Sequence, residues 1–182
     1  MSYRDLKSFQ SATIIYDFTV EFVKRYVDFK SRTKDQMEQA ARSGKQNIVE
    51  GSTERTSSKN ELKLLGVSRA SFEELLNDYE DFLRQKGLKK WDMHDPQAKA
   101  IRNLPYGADW SYASYASFLS DAETAGNAML CLIHQCNYLL DRQIKVLDEK
   151  FVKEGGWDEG LRKRRDEERK RQSGGPASWV RG

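Results

Sequence analysis

Residues 36–51, Gln-Met-Glu-Gln-Ala-Ala-Arg-Ser-Gly-Lys-Gln-Asn-Ile-Val-Glu-Gly, constrain the fold more than any other stretch of the chain. Residues three and four apart share a helix face. At that spacing the segment carries a narrow apolar stripe, Met37, Ala41, Gly44 and Ile48. Beside it runs a small polar one, Gln36, Ala40, Ser43, Asn47 and Glu50. Ala40, Ala41, Ser43 and Gly44 are too small to hold a neighbouring helix at ordinary distance, so a second helix approaches closely here. Ser43, Asn47 and Glu50 are then expected to face that neighbour, in this chain or in another copy, and buried polar groups need partners. A helix this poor in large apolar groups depends on its neighbours for bulk.

Those neighbours are legible as three further periodic segments. Ile15, Phe18, Phe22 and Tyr26 mark a first helix over 8–30, and Thr33 is the expected N-cap of the second, over 34–51. A third, over 58–87, opens on the capping box Ser58-x-x-Glu61. It carries the seam Leu62, Leu65, Arg69, Phe72, Leu76, Tyr79 and Leu83, and stops at Gly87. Arg69 alone breaks that seam; it is expected to snorkel on its aliphatic stem or to pair with Glu50 or Glu73, and snorkelling or a local i, i+4 pair is the simpler reading, a functional role the other. Ser120-x-x-Glu123 is a second capping box, opening a helix over 119–153 whose apolar face is wide enough for more than one neighbour. The fold class read from this is all-α: an antiparallel up-down-up-down four-helix bundle over residues 1–153. A long connection, 88–118, joins its third and fourth helices, and a charged tail over 154–182 follows, without fixed structure from Ser173 onward. Pro96 begins a short helical turn within the connection. Trp110, Tyr112, Tyr115 and Phe118 follow as a strap that covers one side of the bundle or, alternatively, stacks bases.

The pattern Gln36-x3-Ala40-x2-Ser43-x3-Asn47-Ile48-x-Glu50-Gly51 resembles the signature of the bacterial four-helix-bundle proteins encoded by intervening sequences of 23S rRNA genes. Ser71-Phe72-x-Glu74-Leu75 looks like that family's second motif, and the accessory protein of diversity-generating retroelements has a similar fold. Gly44 stands where the family usually carries an aliphatic residue, and the connection 88–118 is longer than usual. With the Glu154-Gly155-Gly156-Trp157 tail, the chain looks like the branch bearing a C-terminal suffix. The resemblance implies Gln36, Ser43, Asn47, Glu50, Gly51, Ser71 and Glu74 as structural motif residues. It also implies a closed homo-oligomer, a pentamer foremost, that binds RNA or an RNA–DNA hybrid without catalysing a reaction, with a protein partner encoded nearby as a further possibility.

Little chemistry is available. No Gly-rich phosphate loop follows a strand, and no Glu-x-x-His pairs of the di-iron type occur. Cys131 and His134 share a helix face, but structural zinc wants four ligands and no second pair lies nearby. No catalytic residues, metal ligands or cofactors are therefore assigned, and the chain reads as a non-enzyme. No apolar run is long enough for a membrane span. The start, Met-Ser-Tyr-Arg-Asp, lacks a signal-peptide core, and Cys131 and Cys136 point in different directions from one helix. Both features predict a reducing cytoplasm.

The basic groups are better organised than the net charge of +3 suggests. From Lys24 to Arg69 eleven Lys or Arg face six Asp or Glu, whereas Ala70 to Leu88 holds two against five, so the third helix is polarised. Arg42, Lys45, Arg55, Lys59 and Lys63 gather at the corner between the second and third helices and form the candidate nucleic-acid-binding set. Acidic end meeting basic end in self-association is the competing use of the same polarity. Two function classes stay open: an oligomeric nucleic-acid-binding accessory protein, and a protein-interaction scaffold with no nucleic-acid role.

Overall fold

The computed structural model describes residues 2–53, 58–107, 110–154 and 157–173. Every regular element among them is helical. The helices are α1 (Lys7–Tyr26), α2 (Arg32–Thr53), α3 (Ser58–Gln85), α4 (Pro96–Asn103), α5 (Ala113–Ala116), α6 (Ala122–Glu154) and α7 (Trp157–Ser173). α1 packs on α2 and α6, and α3 packs on the same two, so the contacts of the four long helices run in a closed cycle. Phe18, Phe22, Met37, Ile48, Phe72, Tyr79, Met129 and Ile133 fill its centre and are fully buried. Within it Thr19 Oγ1 and Tyr79 Oη share a buried hydrogen bond of 3.0 Å, which satisfies a phenol that burial would otherwise leave without a partner.

Several boundaries differ from the expected ones, each for a local reason. Ser31, not Thr33, receives the first free amide of α2: its Oγ accepts from Thr33 N at 3.2 Å, and Thr33 already lies inside the helix. α6 is capped by Asp121 rather than Ser120, because Ser117–Ser120 is spent on a 3₁₀ turn. Asp121 Oδ1 accepts from Thr124 N at 2.9 Å, and hydrogen bonds from Thr124 hold the Asp121 carboxyl below its ordinary range. The Ser58-x-x-Glu61 box abuts residues 54–57, which lie outside the described residues. Gly87 does end α3, in the left-handed region at φ 66°. Leu88 N donates to Leu83 O at 2.9 Å and Gly87 N to Arg84 O at 3.2 Å, the two bonds of a Schellman stop, and Leu88 folds back onto the core.

The close approach expected from the small residues of α2 is present and centres on Gly44. A Cβ built there would lie 2.6 Å from Phe72 Cζ, so the Phe72 ring occupies the space a side chain would need. Ser68 of α3 donates to Gly44 O at 2.7 Å. One turn away a relay closes the seam: Asn47 Nδ2 donates to Ser43 Oγ at 3.2 Å, Ser43 and Ser71 share a bond of 3.0 Å, and Ser71 donates to Val67 O at 3.0 Å. The polar stripe is thus structural at Ser43 and Asn47, whereas Glu50 and Gln36 are exposed in the chain. Arg69 does not break α3. It pairs with Glu73 at 2.5 Å, as expected, and reaches Asp141 of α6 at 3.1 Å.

The connection is more ordered than a strap. Ala98 and Ile101 of α4 are buried, and α4 and the turn at Ser117–Ser120 both lie on α6. Asn127, itself buried, binds the entry: its Oδ1 accepts from Trp91 N at 2.8 Å and its Nδ2 donates to Lys89 O at 2.8 Å. Glu123, freed from capping, accepts from Lys89 N at 3.0 Å. Trp110, Tyr112, Tyr115 and Phe118 pack against the core, with Trp110 Nε1 donating to Tyr115 Oη at 3.1 Å. Much of the surplus apolar width of α6 is therefore covered by the chain itself, and Tyr138, Val146 and Val152 are what remains exposed. Among the α7 residues whose burial is described, all but Gly160 and Leu161 are exposed, as the charge-dense sequence predicts; the tail beyond it, 174–182, lies outside the described residues.

Candidate nucleic-acid interface

The basic corner is built where the end of α2 meets the start of α3. Gly51 is buried there: a Cβ on it would sit 3.5 Å from Leu64 Cβ and 3.6 Å from Glu61 O, so the backbones run side by side. Lys59 and Lys63 leave α3 one turn apart beside this contact, and both are exposed. Arg42 is exposed on α2, about 14 Å along the axis from Gly51 at 1.5 Å per residue. The surface is consequently a strip rather than a point. Lys45 leaves it: its Nζ lies 4.4 Å from the ring centroid of Tyr16 on α1, a cation–π contact that partly buries the ammonium. Arg55 lies outside the described residues.

Along α3 the basic residues differ in their partners. α3 carries four basic residues. Arg69 and Arg84, toward its C-terminus, are ion-paired with Glu73 and Asp141 and with Asp81. Lys59 and Lys63 form no ion pair among the described residues, nor does Arg42. Two acids lie along the strip among the described residues: Glu50, which is exposed, and Glu61, whose carboxyl is pushed up by burial with Lys150 opposing, so burial favours its neutral form. Exposed, unpaired ammonium and guanidinium groups keep their full charge for an external anion.

The motif residues assemble elsewhere on the same two helices. Gln36, Ser43, Ser71 and Glu74, with Arg32 and Asp35, line an open groove of about 400 Å³ between α2 and α3. One turn beyond Glu74 on α3, Asp78 is the most perturbed carboxyl among the described residues. Burial, then Glu74 and Asp81, push it up to about 6, and its Oδ2 has no hydrogen-bond partner. The folded chain binds this proton more tightly than the unfolded one, whose ordinary value is 3.8, so stability rises as pH falls from about 6 toward 4. Asp78→Asn should raise stability at pH 7 by about 1–2 kcal/mol, after allowance for solvent screening, and remove that rise. Denaturant unfolding across that range checks it; a variant with the unaltered pH profile would contradict it.

Cys131 and Cys136 are free thiols, and burial pushes both upward, away from the thiolate. Among the described residues no group of three or more His, Cys, Asp or Glu is placed to hold a metal ion, and no helix is long and apolar enough to cross a membrane. Sequence reasoning missed Tyr16 beneath Lys45, Asp141 beside Arg69, and Asn127. The first two are long-range pairs with no local signal. Asn127 had one, as a lone amide between Ala125 and Met129 on an apolar face. No protein-family model, curated protein or solved structure matches the chain.

Proposed function

We propose that this chain is a non-catalytic, homo-oligomeric accessory protein that binds RNA or an RNA–DNA hybrid, in the manner of the intervening-sequence family it resembles. The observation that carries the reading is the contrast along α3, where Arg69 and Arg84 are neutralised and Lys59 and Lys63, with Arg42 on α2, are not. In this reading the four long helices run up-down-up-down as an antiparallel bundle, a topology that their closed cycle of contacts supports. Copies join into a ring, a pentamer foremost, and each subunit adds its strip to a common surface. Multiplying a modest patch lets a chain of net charge +3 hold a polyanion. Exposed Val146 and Val152 on α6 are the apolar positions left for that contact. The scaffold reading uses the same strip for a purely acidic protein face. Light scattering and filter binding of labelled RNA test both parts. An oligomer whose log affinity falls linearly with log salt is expected; a monomer would remove the ring, and salt-independent or absent RNA binding would remove the function.

A further inference from the structure

The connection also builds a cavity of its own. A half-open cavity of about 240 Å³ lies between it, α1 and α6, with walls formed by Tyr106, Trp110, Tyr138 and Leu139 and with Lys7 and Gln135 as its principal polar members. Large aromatic rings normally hide, yet Tyr106 is 85% exposed and Tyr138 60%. Cations stand over two of these rings: Lys7 Nζ lies 5.0 Å from the Trp110 centroid, and Arg142 Cζ lies 6.0 Å from that of Tyr138. No carboxylate lines the cavity among the described residues. At the wall, Gln135 Nε2 is spent on Arg102 O at 2.8 Å, whereas Gln135 Oε1 is buried without a partner, which is unusual for an amide oxygen.

Open ring faces accept a flat ring, and cations at the rim accept an anion. The size limits the choice further. Sites for drug-sized molecules run from roughly 300 to 1,000 Å³, so this cavity admits one ring system and leaves any attached charge outside, beside Lys7 and Arg142. A flat ring tethered to an external phosphate is a nucleotide. An aromatic side chain from a protein partner would also fit the walls, but it brings no anion for the two cations. We propose that this cavity is a base pocket, which takes one unstacked base of a single-stranded nucleic acid while Lys7 and Arg142 hold the adjoining phosphates. Stacking asks nothing of a base's edge, because every base has a π-face, so the pocket is tolerant of sequence. Paired bases inside a duplex cannot enter. The proposal rests on the nucleic-acid reading above and adds to it the form of strand preferred and the place where it is gripped.

The test compares a short single-stranded oligoribonucleotide with the same sequence as a blunt duplex, on the full chain and on Tyr138→Ala, Tyr106→Ala and Tyr138→Phe. Both tyrosines are exposed, so their removal leaves the core intact, and circular dichroism verifies this. Loss of one stacking contact should weaken single-strand binding by about 5- to 150-fold. Duplex binding should stay unchanged, and Tyr138→Phe should retain the affinity of the natural chain. Equal weakening of both forms, or no weakening by either alanine variant, would overturn the pocket and leave the nucleic-acid reading standing. Failure of the natural chain to bind either form would overturn that reading and the pocket with it. Displacement of the strand by N-acetyl-tyrosine amide at lower concentration than by adenosine monophosphate would assign the pocket to a protein partner's ring and overturn the proposal.

Discussion

Alanine at position 44 should destabilise the fold by about 1–3 kcal/mol, against the usual sign of a helical Gly→Ala change. Two effects compete. Replacing glycine in a helix interior gains about 0.5–1 kcal/mol from backbone entropy. At Gly44 the new methyl would lie 2.6–2.8 Å from three atoms of the Phe72 ring, well inside contact distance. Phe72 is fully buried, so its ring has nowhere to go without displacing neighbours. Overpacking therefore wins. Gly66, on α3, is the control: nothing lies within 4 Å of its absent Cβ, and alanine there should stabilise by about 0.5–1 kcal/mol. Phe72→Leu should be less costly in the Gly44→Ala background than alone, because the smaller side chain makes room for the methyl. Denaturant midpoints of the four variants check this. Equal, positive effects at 44 and 66 would mean that α2 and α3 are not in van der Waals contact at this level.

Asn127→Ala should cost about 2–4 kcal/mol, a large effect for a polar residue outside any site. Its amide satisfies Trp91 N and Lys89 O, each at 2.8 Å, and also bonds Glu123 O at 2.9 Å. Truncation leaves the first two without partners at the partly buried edge of α6. The damage should be local before it is global. Hydrogen exchange is expected to quicken at residues 89–95 while the amides of α1, α2 and α3 keep their protection. Uniform loss of protection would place Asn127 in the common core instead of at the root of the connection.

Much of this was legible in the chain. The small residues of 36–51 announced the close approach before Phe72 was known to be the ring that fills it, and the seam of α3 is buried at Leu65, Phe72, Leu76, Tyr79 and Leu83. Gly87 signalled its stop correctly because only a residue tolerant of positive φ closes a Schellman turn. Caps were less secure. Ser120 and Thr33 have the right chemistry, but the side chain one or two residues away, Asp121 or Ser31, was better placed once the preceding turn had formed. The connection was the least legible part. Its order comes from Asn127 and Glu123, more than thirty residues downstream, and short-range patterns carry no trace of such pairings. The basic corner was visible as composition. That Lys45 leaves it for Tyr16, while Lys59 and Lys63 have no ion pair among the described residues, depends on which helices become neighbours.

The nucleic-acid reading stands or falls on Lys59 and Lys63. Each lysine that contacts a phosphate contributes about one unit to the slope of log affinity against log salt, and its loss weakens binding without regard to sequence. Filter binding of one RNA to the natural chain and to Lys59→Glu/Lys63→Glu, across a salt series, measures both quantities at once. The variant should bind at least about ten-fold more weakly at low salt, with a slope flatter by about 2 per subunit engaged, and its thermal stability should be unchanged because both side chains are exposed. An affinity and a salt slope indistinguishable from those of the natural chain would contradict the basic strip as the site.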